Sequence, residues 1–342
     1  MKAAVFKGAN RPLSIESVDD PTPGPGEIVV RVARCGICGT DLHLTEAHGG
    51  GADDDMLAAA CAPGTILGHE IGGEIVALGP GVGGLRIGDH VTSMGMAGCG
   101  TCAACRSGEP IWCPNVRPQM GGYAEYARLQ QDACLTMPST LSMEDCSLVE
   151  PFAFAWNAVE SSGLKTGQHA IIIGAGPVGL SIAFFAARKG ASVVIAARSG
   201  RAADLAGAYG DFRLIDTLGA EVADGGRLAD VVFECVGRPG LIDRAIDFVR
   251  PRGAVLVAGL CFAPDTFNPL KGILKGIHIR FVNAYSVNDF QAAADVMERD
   301  PHLPRRMVTD TVSLAGLPAM FEALRGRGHQ CKVMIDPFKA DG

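Results

Sequence analysis

The chain has 342 residues, 48% of them apolar, with 30 Lys and Arg against 37 Asp and Glu and a formal net charge of −7. That exceeds one ordinary domain and supplies a sizeable core, so disorder is excluded and two domains are expected. The acidic balance offers no basic face for nucleic acid, and the 45 glycines are scattered along the chain, so they mark turns and not a low-complexity tract.

Met1 to Phe6 leads straight into a strand-like run with no apolar leader, and the twelve cysteines are clustered. This combination predicts a cytoplasmic chain that uses cysteine for metal binding and not for disulfides. Glu27 to Ala33 is a strand by its β-branched content. Cys35-Gly36-Ile37-Cys38-Gly39-Thr40-Asp41-Leu42-His43 then packs thiol, hydroxyl and imidazole groups into one turn. His48 to Pro63, rich in Gly and Asp with a lone Cys61, is expected to be a solvated surface loop. Gly68-His69-Glu70 adds an imidazole beside a carboxylate, and Glu70 to Val91 reads as further β-structure in which His90 is structural. Cys99, Cys102, Cys105 and Cys113 place four thiols in one short loop, enough to close a tetrahedral shell, which predicts a structural zinc. Disulfides or an iron–sulfur cluster are the other chemistries that spacing allows. Gly121 to Tyr126 returns to β-structure.

From Ser147 the pattern changes. Glu150-Pro151 is expected to open a helix that ends near Gly163, and Ala170 to Ile173 is a buried strand. Ala170 to Ala187 is charge-free and long enough to raise a membrane span, but Gly174, Gly176, Pro177 and Gly179 break it into strand, turn and helix. This is a G-x-G-x-x-G in the context that gives the motif meaning. Gly174 permits the turn, Gly176 lets a pyrophosphate approach, and Gly179 allows close helix–strand packing. Pro177 and Val178 open the helix whose N–H groups and dipole meet the phosphates. Ala191 to Ala197, Asp230 to Glu234 and Gly253 to Gly259 are further strands, and the alternation with helices gives a parallel sheet covered on both faces. After the second strand comes Arg198-Ser199-Gly200-Arg201 where an NAD site usually has an acid. Arg198 can pair with a 2′-phosphate and Ser199 can donate to it, which predicts NADP; Arg198 stacking on adenine, with NAD also accepted, is the alternative. Gly276 to Val282 reads as an edge strand, safer paired than exposed. The last forty residues are expected to fold back on the first domain.

Thiolate, imidazole and carboxylate together suit zinc, and three protein ligands leave a position for water or substrate. The whole set of motifs, at 35–41, 68–70, 99–113, 150–151 and 174–179, resembles the zinc-dependent medium-chain dehydrogenases, most closely their sorbitol/polyol dehydrogenase branch, nearly end to end. The resemblance implies a mainly β, GroES-like catalytic domain (1–152 and 291–342) and a Rossmann doubly wound cofactor domain (153–290), an α/β protein. It implies one catalytic and one structural zinc, a small alcohol or carbonyl substrate, and a homodimer or homotetramer formed through the sheet edge. Cys38 then is the catalytic ligand and His69 the second; Glu70 and Glu150 share the carboxylate role differently among relatives, and Cys35 is a packed non-ligand. Thr40 is close enough in sequence to Cys38 to meet the substrate oxygen, and His43 can carry its proton outward or else bond near the cofactor ribose.

Three departures stand out. The acid after the second strand is missing, the 48–63 loop is long, and Asn157 stands where relatives often carry His. The expected activity is therefore alcohol or polyol oxidoreduction with zinc and NADP(H). An NAD-linked sugar-alcohol or threonine-type dehydrogenase is the alternative within enzymes. A non-catalytic NADP-binding redox sensor would go with loss of a zinc ligand, and none is lost.

Overall fold

Strand pairing close to the N-terminus sets the first unit. β1 (Lys2–Val5) and β2 (Ser14–Ser17) form an antiparallel ribbon, and β3 (Glu27–Gly36) sends Ile28, Val30 and Val32 into the core. A β-bulge between Val32 and Arg34 then shifts the phase by one residue, so Cys35 and not Arg34 rejoins the buried face. The computed structural model describes residues 1–46, 61–199, 202–223, 225–326 and 329–340. Residues 48–60 of the predicted surface loop, and Arg201, lie outside the described residues. Cys61, at the end of that loop, is only 6% exposed and belongs to the core.

α1 (Gly39–Leu44) follows β3 with two residues between them. β4 (Glu70–Leu78) and β5 (His90–Ser93) continue the sheet. β6 (Met96–Ala97), α2 (Ala103–Arg106) and β7 (Arg117–Pro118) frame the four-cysteine lobe. β8 (Tyr126–Gln130) and β9 (Cys134–Thr136) follow, then α3 (Met143–Ser161). The sequence reading placed the start of this helix at Glu150-Pro151, and that is corrected: both residues sit in its interior. The cause is a capping box upstream. Ser142 donates from its backbone N–H and its hydroxyl to Asp145 at 2.8 and 2.7 Å, and the Asp145 N–H returns a bond to Ser142 Oγ at 3.3 Å. Pro151 removes one N–H from a helix already started by its cap.

The second unit, Pro151–Tyr285, is a β/α alternation. β10 (His169–Ile173), α4 (Pro177–Arg188), β11 (Ser192–Ala197), α5 (Ala203–Ala206), β12 (Asp211–Leu214), α6 (Ile215–Ala223), β13 (Ala229–Glu234), α7 (Leu241–Phe248), β14 (Val249–Val257), α8 (Pro269–Lys275) and β15 (His278–Phe281) succeed one another. All six strands are parallel, in the order β12-β11-β10-β13-β14-β15. The chain winds outward from β10 and then restarts at β13, which makes the gap between these two strands the switch point where a dinucleotide fits. β12 has no counterpart in the sequence reading, because at the sheet edge its residues are half or fully exposed and carry no apolar run.

The chain then returns to the first unit, Met1–Glu150 with Ser286–Gly342. α9 (Val287–Arg299), α10 (His302–Arg305), β16 (Val308–Ser313), α11 (Leu317–Arg325) and β17 (Lys332–Asp336) complete it. The strand order there is β16-β17-β3-β4-β5-β9, with β8 also on β3. β17 runs antiparallel to the end of β3, with Met334 and Ile335 opposite Gly36 and Cys35, so Lys332 arrives beside the segment that carries Cys38. No helix among the described residues is long and apolar enough to cross a membrane.

Candidate active site

Cys38 is the residue at which strand becomes helix. It is the N-cap of α1, and its backbone N–H donates to Asp41 Oδ2 at 3.2 Å, half of a capping box. That geometry turns its sulfur out of the core while Cys35, three residues earlier, stays fully buried. Burial pushes the Cys35 thiol well above its ordinary pKa, so it is a packed thiol and a poor ligand.

His69 and Glu70 come from the turn into β4. One donor atom each from Cys38, His69 and Glu70 lie within 4.8 Å of one another. His69 Nδ1 lies 3.3 Å from Asp41 Oδ1, a close approach without the alignment of a hydrogen bond. Burial works against charge on the His69 ring, but Asp41 and Cys38 outweigh it and hold its pKa well above the usual value. The pocket therefore favours positive charge at its centre, and a soft thiolate, an imidazole and a carboxylate are the donor set that zinc takes. The residues fit the metal.

Two glycines make room for this arrangement. A Cβ on Gly36 would lie 1.8 Å from Glu70 Oε2, and one on Gly68, whose φ is +87°, would lie 2.4 Å from the Tyr123 ring. Either substitution would displace a group of the site.

The structure adds three residues that the sequence reading gave no role. Lys332 is 2% exposed and its ammonium donates to both Glu70 oxygens, at 2.6 and 2.7 Å, and to the Ile37 carbonyl at 3.1 Å. Burial opposes its charge, yet Glu70 and Cys38 hold its pKa above the usual lysine value. The available signal was a lone lysine at the start of an apolar strand, since a charge buried there requires a partner. Asp41 and Tyr123 are fully buried, and Tyr123 Oη donates to Asp41 Oδ2 at 2.6 Å. Burial raises the Asp41 carboxyl, but His69 and Tyr123 more than compensate and hold it below the ordinary value.

The other predicted residues are placed as follows. Thr40 Oγ1 lies 3.5 Å from Cys38 Sγ. His43, one turn further along α1, has Nδ1 3.4 Å from Glu46 Oε2, and Glu46 in turn meets Arg325 at 3.0 Å. Glu150, in the interior of α3, is 9% exposed and falls outside the three-donor cluster, but its charge acts on Lys332.

In the four-cysteine lobe, ligand atoms of Cys99, Cys102, Cys105 and Cys113 also lie within 4.8 Å of one another. Backbone N–H groups point at the sulfurs: Cys99 and Asn115 donate to Cys113 Sγ at 3.3 Å, and Cys105 donates to Cys102 Sγ at 3.4 Å. A hydrogen bond from the Thr101 hydroxyl helps bring the Cys99 thiol down to about 5. All twelve cysteines are free in the structure.

In the second unit, Gly174 has φ +117° and its N–H donates to the Ala196 carbonyl at 2.8 Å, which ties the glycine turn to the end of β11. A Cβ on Gly179 would lie 2.0 Å from the Gly174 carbonyl, so the third glycine is needed for packing. Gly176, the N-cap of α4, has open space where its Cβ would be, ahead of Pro177 and Val178. Arg198 and Ser199 follow β11 directly and are exposed.

Residues 24–139 match the alcohol dehydrogenase GroES-like domain family, and residues 177–299 match the zinc-binding dehydrogenase family. The chain is 30% identical over 340 residues to a sorbitol dehydrogenase of Halalkalibacterium halodurans, covering 95% of this chain and 96% of that one. It is 34% identical over 256 residues to an L-threonine 3-dehydrogenase of Pyrococcus horikoshii, 71% of each chain. Its fold matches a Sinorhizobium meliloti 1021 protein solved bound to NADP with a TM-score of 0.86 and 26% identity, covering 98% of this chain and 99% of that one.

Proposed function

The chain belongs to the zinc-dependent medium-chain dehydrogenase/reductase family, in its sorbitol/polyol branch, and is a dehydrogenase; from that premise we propose that it interconverts an alcohol or polyol and its carbonyl by zinc-assisted hydride transfer with NADP(H). The observation that carries this reading is the convergence of Cys38, His69 and Glu70. These three residues would hold the catalytic zinc, with Glu150 as the carboxylate that exchanges with Glu70, and the four cysteines of the lobe would hold a structural one. Zinc supplies Lewis acidity that polarises the substrate oxygen, and the nicotinamide supplies the hydride acceptor or donor.

The residues of this chain do the rest. Lys332 holds the Glu70 carboxylate, so Glu70 reaches the site's centre only by sharing or leaving its ammonium. Thr40, beside Cys38, receives the hydroxyl proton of the alcohol while handing its own on, and His43 passes a proton toward solvent. In the second unit, Gly176 and the start of α4 receive the pyrophosphate, and Arg198 with Ser199 receives a 2′-phosphate. The free cysteines support a reducing, cytoplasmic setting. We also assign the open side of β15, an edge strand of the cofactor sheet among the described residues, as the self-association surface.

The test is the binding and turnover of NADP and NAD by the zinc-loaded protein and by Arg198→Asp. Expected is an NADP preference that the substitution abolishes or reverses. Equal use of both cofactors, unchanged in the variant, would overturn the NADP assignment. It would favour an NAD-linked sugar-alcohol or threonine-type dehydrogenase, the two kinds of relative the chain is similar to.

A further inference from the structure

Two segments far apart in sequence bring the metal-ligating side chains together: the N-terminus of α1 carries Cys38, and the turn into β4 carries His69. The buried side chain of Tyr123 joins both. Its backbone N–H donates to the Leu67 carbonyl at 3.0 Å, and the Gly122 N–H donates to the Gly68 carbonyl at 2.9 Å, so this stretch is laced to the residues just before His69. Its hydroxyl reaches across to Asp41 Oδ2 at 2.6 Å, and the same oxygen accepts the Cys38 N–H at 3.2 Å. The other oxygen of Asp41 faces His69 Nδ1 at 3.3 Å. Every member of this chain of contacts is in the first unit, and both Tyr123 and Asp41 are fully buried.

We propose that Tyr123 is a positioning residue for the metal centre: by holding Asp41 it fixes the carboxylate that orients His69, and so sets the affinity of the Cys38–His69–Glu70 site for its cation. The proposal rests on the zinc-site reading above. The chemistry is direct. A buried carboxylate needs donors for its lone pairs, and without the phenol Asp41 keeps the Cys38 N–H as its hydrogen-bonded donor. A carboxylate free to rotate would no longer hold its charge against Nδ1 of the imidazole, and removing such outer partners commonly costs about 10–100-fold in metal affinity. The ring itself has a separate role, packing edge-on against Phe321 with centroids 6.2 Å apart and filling the space that Gly68 leaves. Tyr123→Phe therefore removes the hydroxyl and keeps the ring.

The experiment is metal uptake by the full chain, read without turnover. Cobalt(II) is titrated into the apoprotein against a competing chelator, and the number of ions per chain, the affinity of each and the visible d–d bands are recorded. Cys38→Ser serves as the reference that leaves only the four-cysteine lobe. For the site that Cys38→Ser abolishes, Tyr123→Phe and Asp41→Asn should each weaken affinity about 10–100-fold and shift the d–d bands, and the double variant should be no worse than the weaker single one. Phe321→Leu, which disturbs the ring contact and the Arg325 guanidinium above it but leaves the phenol hydroxyl in place, should leave that affinity unchanged. Wild-type affinity and spectrum in Tyr123→Phe would overturn the proposal, as would an equal loss in Phe321→Leu. A wild-type chain that binds metal only in the four-cysteine lobe would overturn the zinc-site reading itself.

Discussion

At the scale of single residues, the site is governed by the need of buried charges for partners. Lys332 spends all three of its N–H donors, two on Glu70 and one on the Ile37 carbonyl, and Glu70 is itself only 1% exposed. Removing one member of such a pair leaves the other charge uncompensated, at a typical cost of about 3–5 kcal/mol. Lys332→Met should therefore lower the stability of the metal-free protein by about that amount, measured by urea unfolding. Adding zinc should recover more stability in the variant than in wild type, because Glu70 is then free to serve as a ligand. An unchanged urea midpoint would mean that the pair is not what holds this corner. The sequence displayed Lys332 inside a strand, yet its partner is 262 positions away, and only the β17–β3 pairing brings the two together. Cys38, His69 and Glu70 were legible because metal chemistry restricts residue type so tightly. Asp41 and Tyr123 were not, because a carboxylate and a phenol that serve as supports look like ordinary polar residues.

At the scale of elements, α3 is the clearest case. Its start is fixed by Asp145, fully buried, which receives a bidentate bond from Arg305 at 2.6 Å as well as the Ser142 cap. Burial pushes the Asp145 carboxyl up, but Arg305 and Ser142 outweigh it and leave its pKa below the ordinary value. A depressed folded pKa means that the native state binds the proton less readily than the unfolded chain does. The stabilisation is then fully present above the unfolded value of about 3.9 and is lost as pH falls through the lower folded value. Asp145→Asn should accordingly be less stable than wild type at neutral pH, and the gap should close as pH drops below about 4, measured by denaturant midpoints across that range. A constant gap would show that the hydrogen bonds and not the charge do the work. The misplaced helix start has the same origin: Pro151 is a strong local signal, whereas Ser142 and Asp145 are three residues apart in a stretch without a clear period. Arg305, which completes the anchor, comes from α10 at the other end of the chain.

At the scale of the whole molecule, the β15 edge of the cofactor sheet carries exposed apolar side chains among the described residues. Phe281 on β15 is 67% exposed, and Ile273 and Leu274 on α8 are 73% and 78% exposed. An edge strand with one open side beside such apolar surface is a template for another strand. Ile273→Lys together with Phe281→Lys should shift the protein toward monomer, read by light scattering over a range of concentrations. A wild type that is already monomeric at high concentration would remove β15 as an interface. What the sequence determined by itself is the fold class, the glycine turn of the cofactor unit and the choice of side chains in the two clusters that could hold a metal. Each of these is dictated by local backbone geometry or by the narrow choice of side chains that a metal accepts. What the tertiary structure decided is how the Cys38–His69–Glu70 cluster and the start of α3 are held: Lys332 on Glu70 and Tyr123 on Asp41 at the one, Arg305 on Asp145 at the other. Those pairs are set by long-range strand and helix packing, and no local pattern in the chain encodes which buried charge will meet which.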